Sequence, residues 1–139
     1  MKATDLMIGD WVQVMDAATG TPYNCRVRYT IWPSMENALI GLDNKEISVS
    51  SLPAECLYPI PITPEILEKN GFERRQVDYL LHIDESQYLD YYPHEGSLER
   101  IYIHKDGSRE VVFRVNAISY VHLLQHALKL CGIEKEWTI

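Results

Sequence analysis

The chain has 139 residues and a formal net charge of −7. That length suits one domain or two very small ones, and it can bury a core without staples. Residues 1–60 hold 4 basic and 7 acidic side chains, net −3, and residues 61–139 hold 9 and 13, net −4. Neither half reads as a basic nucleic-acid segment, since Lys and Arg supply most phosphate affinity. Cys25, Cys56 and Cys131 are odd in number and widely spaced, which argues against a disulfide framework or a zinc ribbon. The N-terminus lacks a signal-peptide core, and no run approaches the roughly 20 apolar residues of a membrane span. The expectation is a cytoplasmic protein with no membrane segment.

In chain order, Gly9-Asp10 reads as a turn into a strand, with Val12 and Val14 on one side and Trp11 and Gln13 on the other. Residues 25–32 alternate again, placing Val27, Tyr29 and Ile31 on one face and Arg26, Arg28 and Thr30 on the other. Residues 38–42 and 46–49 flank Asp43-Asn44-Lys45, a hairpin loop by composition. A short strand around Cys56-Leu57 closes the set. Four or five short strands in about 57 residues suggest a small barrel, and the Gly9-Asp10-Trp11-Val12-Gln13-Val14 opening resembles the first strand of SH3-like barrels.

Pro59, Pro61 and Pro64 then hold the chain extended. Thr63 is a suitable N-cap, with Pro64 at the first helical position, and Asn70-Gly71 supplies a stop signal. The helix between them spans about two turns and needs packing to persist. Segments 77–83, 87–92, 98–104 and 110–115 read as an antiparallel meander. Between the last two, a three-residue loop with Gly107 left-handed gathers Ile101, Ile103, Val111, Phe113 and Val115 on one face. The final helix, residues 119–131, carries Val121, Leu124, Leu128 and Cys131 at helical spacing. His122, Gln125, His126 and Lys129 form a solvated stripe opposite them. Ser119 or Asn116 caps it, and residues 137–139 add a short edge strand.

The fold expectation is therefore α+β: an N-terminal small SH3-like β-barrel over residues 1–57, then an α+β unit over 58–139. The second unit holds a short helix (64–70), a four-stranded antiparallel meander (76–116) and a C-terminal helix (119–131) packed on the sheet. The short proline connector implies that the halves behave as one unit.

Three sets of residues carry candidate chemistry. The aromatics Trp11, Tyr23, Trp32 and Tyr58 suit a peptide groove on a barrel rim, although completing a small core is the commoner use of such residues. The segment 84–99 is acidic, lacks Lys and Arg, and contains Tyr88, Asp90, Tyr91 and Tyr92, which together suit a basic partner, or equally a solvated strand edge. His122 and His126 stand at metal-ligand spacing on a helix, but Leu123 stands where a zinc protease carries its glutamate base. A metal-dependent enzyme using these two histidines is thus an alternative, and a solvated stripe the ordinary reading. Arg26, Arg28 and Lys45 form a small basic face, the alternative route to weak nucleic-acid binding. Nucleophile elbows, P-loops and dinucleotide fingerprints are absent from the sequence, so no cofactor and no catalytic residue is assigned.

Three blocks in order, residues 5–12, 60–72 and 120–126, are similar to those of a family of small uncharacterised proteins from prophages and mobile elements of gut bacteria. The central block, with its Thr63-Pro64-Glu65 start and Asn70-Gly71-Phe72 end, is the most specific. The resemblance implies a cytoplasmic accessory protein and transfers no catalytic residue. The function expected is a non-enzymatic protein-binding or adaptor module with a protein partner of unknown identity.

Overall fold

The computed structural model describes residues 1–33, 37–44 and 48–139. The chain forms two compact units, Met1–Pro61 and Ile62–Ile139, each with a five-stranded antiparallel sheet. The class is α+β.

In the first unit, β1 (Trp11–Met15), β2 (Pro22–Ile31), β3 (Leu39–Asp43), β4 (Ser48–Pro53) and β5 (Leu57–Pro59) lie in the order β4-β3-β2-β1-β5. A 3-10 turn, Ala54–Cys56, leads into β5. Among the described residues the sheet is open, with β4 and β5 as its edges; the closed barrel expected from strand count is not formed. The Gly9-Asp10 turn is tied to β2, as Gly9 N–H donates to Val27 O and Val27 N–H donates to Asp10 O. Gly9 takes φ +93°, a region closed to most side chains. The core is built from Val12, Cys25, Val27, Ile40, Leu42 and Leu57, with Val14, Tyr23 and Leu52 packed against it. Cys25, Cys56 and Cys131 are all free thiols.

The alternation expected along β2 breaks at one place. Val27 pairs with Leu42, but the next pair is Tyr29 with Gly41. Arg28 is the extra residue of a β-bulge, and such an insertion transfers every later side chain to the opposite face. Tyr29 and Ile31 therefore turn away from Val27 and are exposed.

The second unit opens with α1 (Pro64–Lys69). Thr63 Oγ1 accepts from Ile66 N–H at 3.3 Å, satisfying an early helix amide. Gly71 at φ +83° ends the helix, with Gly71 N–H on Glu68 O and Phe72 N–H on Leu67 O. The sheet follows as β6 (Glu73–Arg74), β7 (Tyr79–His82), β8 (Gln87–Tyr92), β9 (Ser97–Ile103) and β10 (Arg109–Val115), ordered β10-β9-β8-β7-β6. The two-residue β6 makes five strands where four were expected.

The β9–β10 connection has Gly107 at φ +84°, with His104 N–H on Ser108 O. Odd positions pair with odd ones through Ile103–Arg109 and Ile101–Val111. A second bulge, at Val112, then moves Phe113 and Val115 to the other face, so the five apolar residues expected together are divided.

The last helix, α2, spans Val121–Leu130 and is preceded by Tyr120, without a side-chain cap; neither Ser119 nor Asn116 fills that role. Both helix ends are tied to the sheet. Ile118 N–H donates to Gly96 O, Tyr91 Oη donates to Ile118 O at 2.8 Å, and Arg100 Nη1 donates to Cys131 O at 3.0 Å. Tyr91 and Arg100 share one face with Leu89 and Leu98 by register. The opposite face carries Leu80, Tyr88 and Ile101, packed together with Ile103. Residues 137–139 form no strand. They are held instead by Asn70, whose Nδ2 donates to Thr138 O and whose Oδ1 accepts from Thr138 N–H. Trp137 is buried beside Phe72, with ring centroids 6.5 Å apart.

Candidate functional site

The residues expected to meet a partner separate into two groups. Tyr88 and Asp90 are 4% exposed and Tyr91 is 2% exposed; all three belong to the interior and offer no contact surface. Along β8, residues of both faces are buried from Tyr88 to Tyr91, a property of the assembled fold that strand composition does not reveal. Tyr91 lies so deep that burial pushes its phenol up to about 12. Tyr92 is half-buried.

The acidic character of segment 84–99 is also largely consumed within the fold. Asp84 accepts from Ser86 N–H and Ser86 Oγ, while Glu95 and Glu99 pair with Arg114 at 3.3 and 3.1 Å.

In the first unit, Tyr23 packs partly buried against the core. Trp11 is half-buried, with the Arg26 guanidinium 5.9 Å from its ring centroid. That cation–π contact takes Arg26 away from the proposed basic face, and Arg28 is paired with Asp43 at 2.7 Å. Lys45 lies outside the described residues.

The open aromatic surface lies at the end of β2, where Tyr29 is 41%, Ile31 49% and Trp32 51% exposed. Tyr58 is exposed as well. Of the residues at this strand end only Trp32 is legible as a candidate from the sequence; Tyr29 and Ile31 join it because of the bulge at Arg28. The Tyr29 ring fills the space that a side chain at Gly41 would need, so glycine at 41 gives the ring a seat on the sheet.

Of the solvated stripe expected on α2, Lys129 is exposed but the rest is not. His122 and Gln125 are buried and His126 is half-buried. The His122 ring stacks on Tyr120 with centroids 6.1 Å apart, and meets His126 edge-on at 5.9 Å. Among the described residues no group of three His, Cys, Asp or Glu is placed to hold a metal ion.

A second site is not legible in the sequence. A pocket of about 250 Å³ is lined by the start of α1, the turn 74–78 and the β8–β9 turn at Pro93 and His94. Arg75 forms its charged wall. Its Nε donates to Asp78 Oδ1 at 2.8 Å, and its Nη2 donates to Asp78 Oδ2 and Asp90 Oδ1, each at 2.5 Å. The carboxylate of Asp78 raises the Arg75 pKa above its ordinary value. Burial of Asp90 outweighs the attraction of Arg75 and raises its carboxyl above the usual range. The local Arg75-x-x-Asp78 spacing was the one signal available; Asp90 enters only through sheet register.

No family model, curated protein or solved structure matches the chain. Among the described residues no helix is long and apolar enough to cross a membrane.

Proposed function

We propose that this chain is a non-enzymatic binding module that docks an extended peptide segment on the aromatic surface of its first unit. The observation carrying this reading is the run Tyr29, Ile31 and Trp32, each at least two-fifths exposed on one strand end. Large apolar side chains so exposed on a small sheet stand at a cost in water and suit an apolar or proline-rich ligand. The strand order β4-β3-β2-β1-β5, with a 3-10 turn before the short last strand, supports an SH3-like reading of this unit, opened rather than closed. The second sheet, with its strands adjacent in chain order, supports the meander reading beside it. A cytoplasmic accessory role in a phage or mobile element, as the three sequence blocks imply, belongs to the same proposal.

The test is selection of a displayed peptide library on the intact chain, with Trp32→Ala and Tyr29→Ala variants as counter-targets. A shared motif that loses binding to both variants is the expected result. A library that returns no motif dependent on Trp32 overturns the proposal.

A further inference from the structure

The pocket beside α1 is built wholly within the second unit, from residues 62–94. Leu67, Val77, Tyr79 and Pro93 supply apolar wall, and Arg74, Arg75 and His94 supply donors. Arg75 is the decisive group. Asp78 takes its Nε and Nη2 edge, and Asp90 takes Nη2 again. Among the described residues Nη1 has no partner. Both carboxylates are buried while the Arg75 side chain keeps 35% of its surface, so the unclaimed edge is the one left for solvent and pocket.

Both oxygens of Asp78 already accept from Arg75 and its carboxylate is buried, so the exposed charge lining the pocket comes from the guanidiniums of Arg74 and Arg75. A guanidinium already fixed by two carboxylates loses little side-chain freedom when it takes a third partner. Arg74 lines the same pocket and interacts electrostatically with the exposed Glu65 carboxylate. The volume suits a single-ring molecule rather than a drug-sized or polymeric one.

We propose that this pocket binds a small organic monocarboxylate with an apolar, ring-sized body. The carboxylate takes the Nη1 edge of Arg75 with help from Arg74, and the body lies on Leu67, Val77 and Tyr79. A cationic ligand meets like charge from Arg74 and Arg75, and a neutral one forgoes the charge-assisted hydrogen bonds.

The experiment is an NMR titration of the isotope-labelled full chain with phenylacetate, phenylacetamide and phenethylamine. Phenylacetate is expected to give saturable shifts confined to residues 62–94, with the amide about tenfold weaker, the loss of one charge-assisted contact. Val77→Glu alters a residue that is 66% exposed, so the fold and melting temperature should hold while phenylacetate binding disappears. Trp32→Ala should bind phenylacetate as the native chain does, which separates this site from the peptide surface. Equal affinity for acid and amide, shifts that do not saturate, or unaltered binding to Val77→Glu would each overturn the proposal.

Discussion

The ring of Tyr29 occupies the place where a side chain at Gly41 would stand. The two residues are paired across β2 and β3 immediately after the bulge at Arg28. The bulge turns Tyr29 outward, and the missing side chain at 41 lets its ring lie on the sheet. A methyl group at 41 must displace the ring. Because the ring is partly exposed and can swing, Gly41→Ala should cost about 1 kcal/mol rather than the larger penalty of overpacking a closed core. Thermal unfolding of Gly41→Ala, Tyr29→Ala and the double variant tests the coupling. The double variant should be more stable than the sum of the single losses predicts, and strict additivity would refute the contact.

Asn70 joins α1 to the chain end 68 residues away. Its Nδ2 donates to Ile66 O at 2.7 Å and to Thr138 O at 2.8 Å, while its Oδ1 accepts from Thr138 N–H at 3.0 Å. Asn70→Ala deletes all three bonds at a buried position, with an expected loss of about 2 kcal/mol. The C-terminal segment should loosen before the sheet does. Trp137, now buried beside Phe72, would become solvated, visible as a red shift of tryptophan emission under native conditions. Emission unchanged from the native protein would show that Asn70 does not hold the terminus.

Arg75 compensates two buried carboxylates, so Arg75→Met should be among the most damaging changes in the second unit. At neutral pH the expected loss is about 3 kcal/mol, the ordinary cost of leaving a buried charge unpaired. The sign of the pH dependence follows from Asp90, whose folded pKa is raised above its ordinary 3.8. A raised carboxyl binds its proton more tightly in the folded state. Its contribution therefore declines as pH climbs from 3.8 through the folded pKa. Removing Arg75 raises Asp90 further, so the variant should recover stability on acidification relative to the native chain. Denaturant unfolding across mildly acidic to neutral pH measures this. A stability difference independent of pH would contradict the assignment.

Ala117 is the one non-glycine residue among those described with a positive φ, 63°. It stands just before Ile118, whose N–H must reach Gly96 O and whose carbonyl accepts from Tyr91. The left-handed turn directs the chain from β10 to α2, at a steric cost that glycine does not bear. Ala117→Gly should stabilise the protein by about 1 kcal/mol, read as a raised melting temperature. A lowered melting temperature would mean that the entropy glycine adds to the unfolded chain outweighs the relieved strain.

Local signals were legible wherever the physics was local. The Thr63 cap, the Gly71 stop and the left-handed Gly107 each follow from a few adjacent residues and stand as read. The misplacements cluster at the two bulges. Along β2 and β10 the alternation was sound up to Val27 and Val111, and one inserted residue then reversed it for Tyr29, Ile31, Phe113 and Val115. Nothing in the composition around Arg28 or Val112 marks an insertion, because a bulge answers to the twist and curvature of the whole sheet. The stripe on α2 failed for a related reason. Periodicity separates polar from apolar faces, but whether a polar face meets water depends on what is packed against it, and His122 and Gln125 are buried.

The amino-acid order by itself determined the class, most of the longer strands and the short capped helix, because these rest on periodicity and on steric preferences within a few residues; the two-residue β6 and the strandless chain end did not show there. Tertiary structure decided which aromatics face outward and which acids find an arginine. Arg75 and Asp90 are 15 positions apart and meet only because β6, β7 and β8 stack side by side. Sheet register sets such meetings, and register is a property of several strands together.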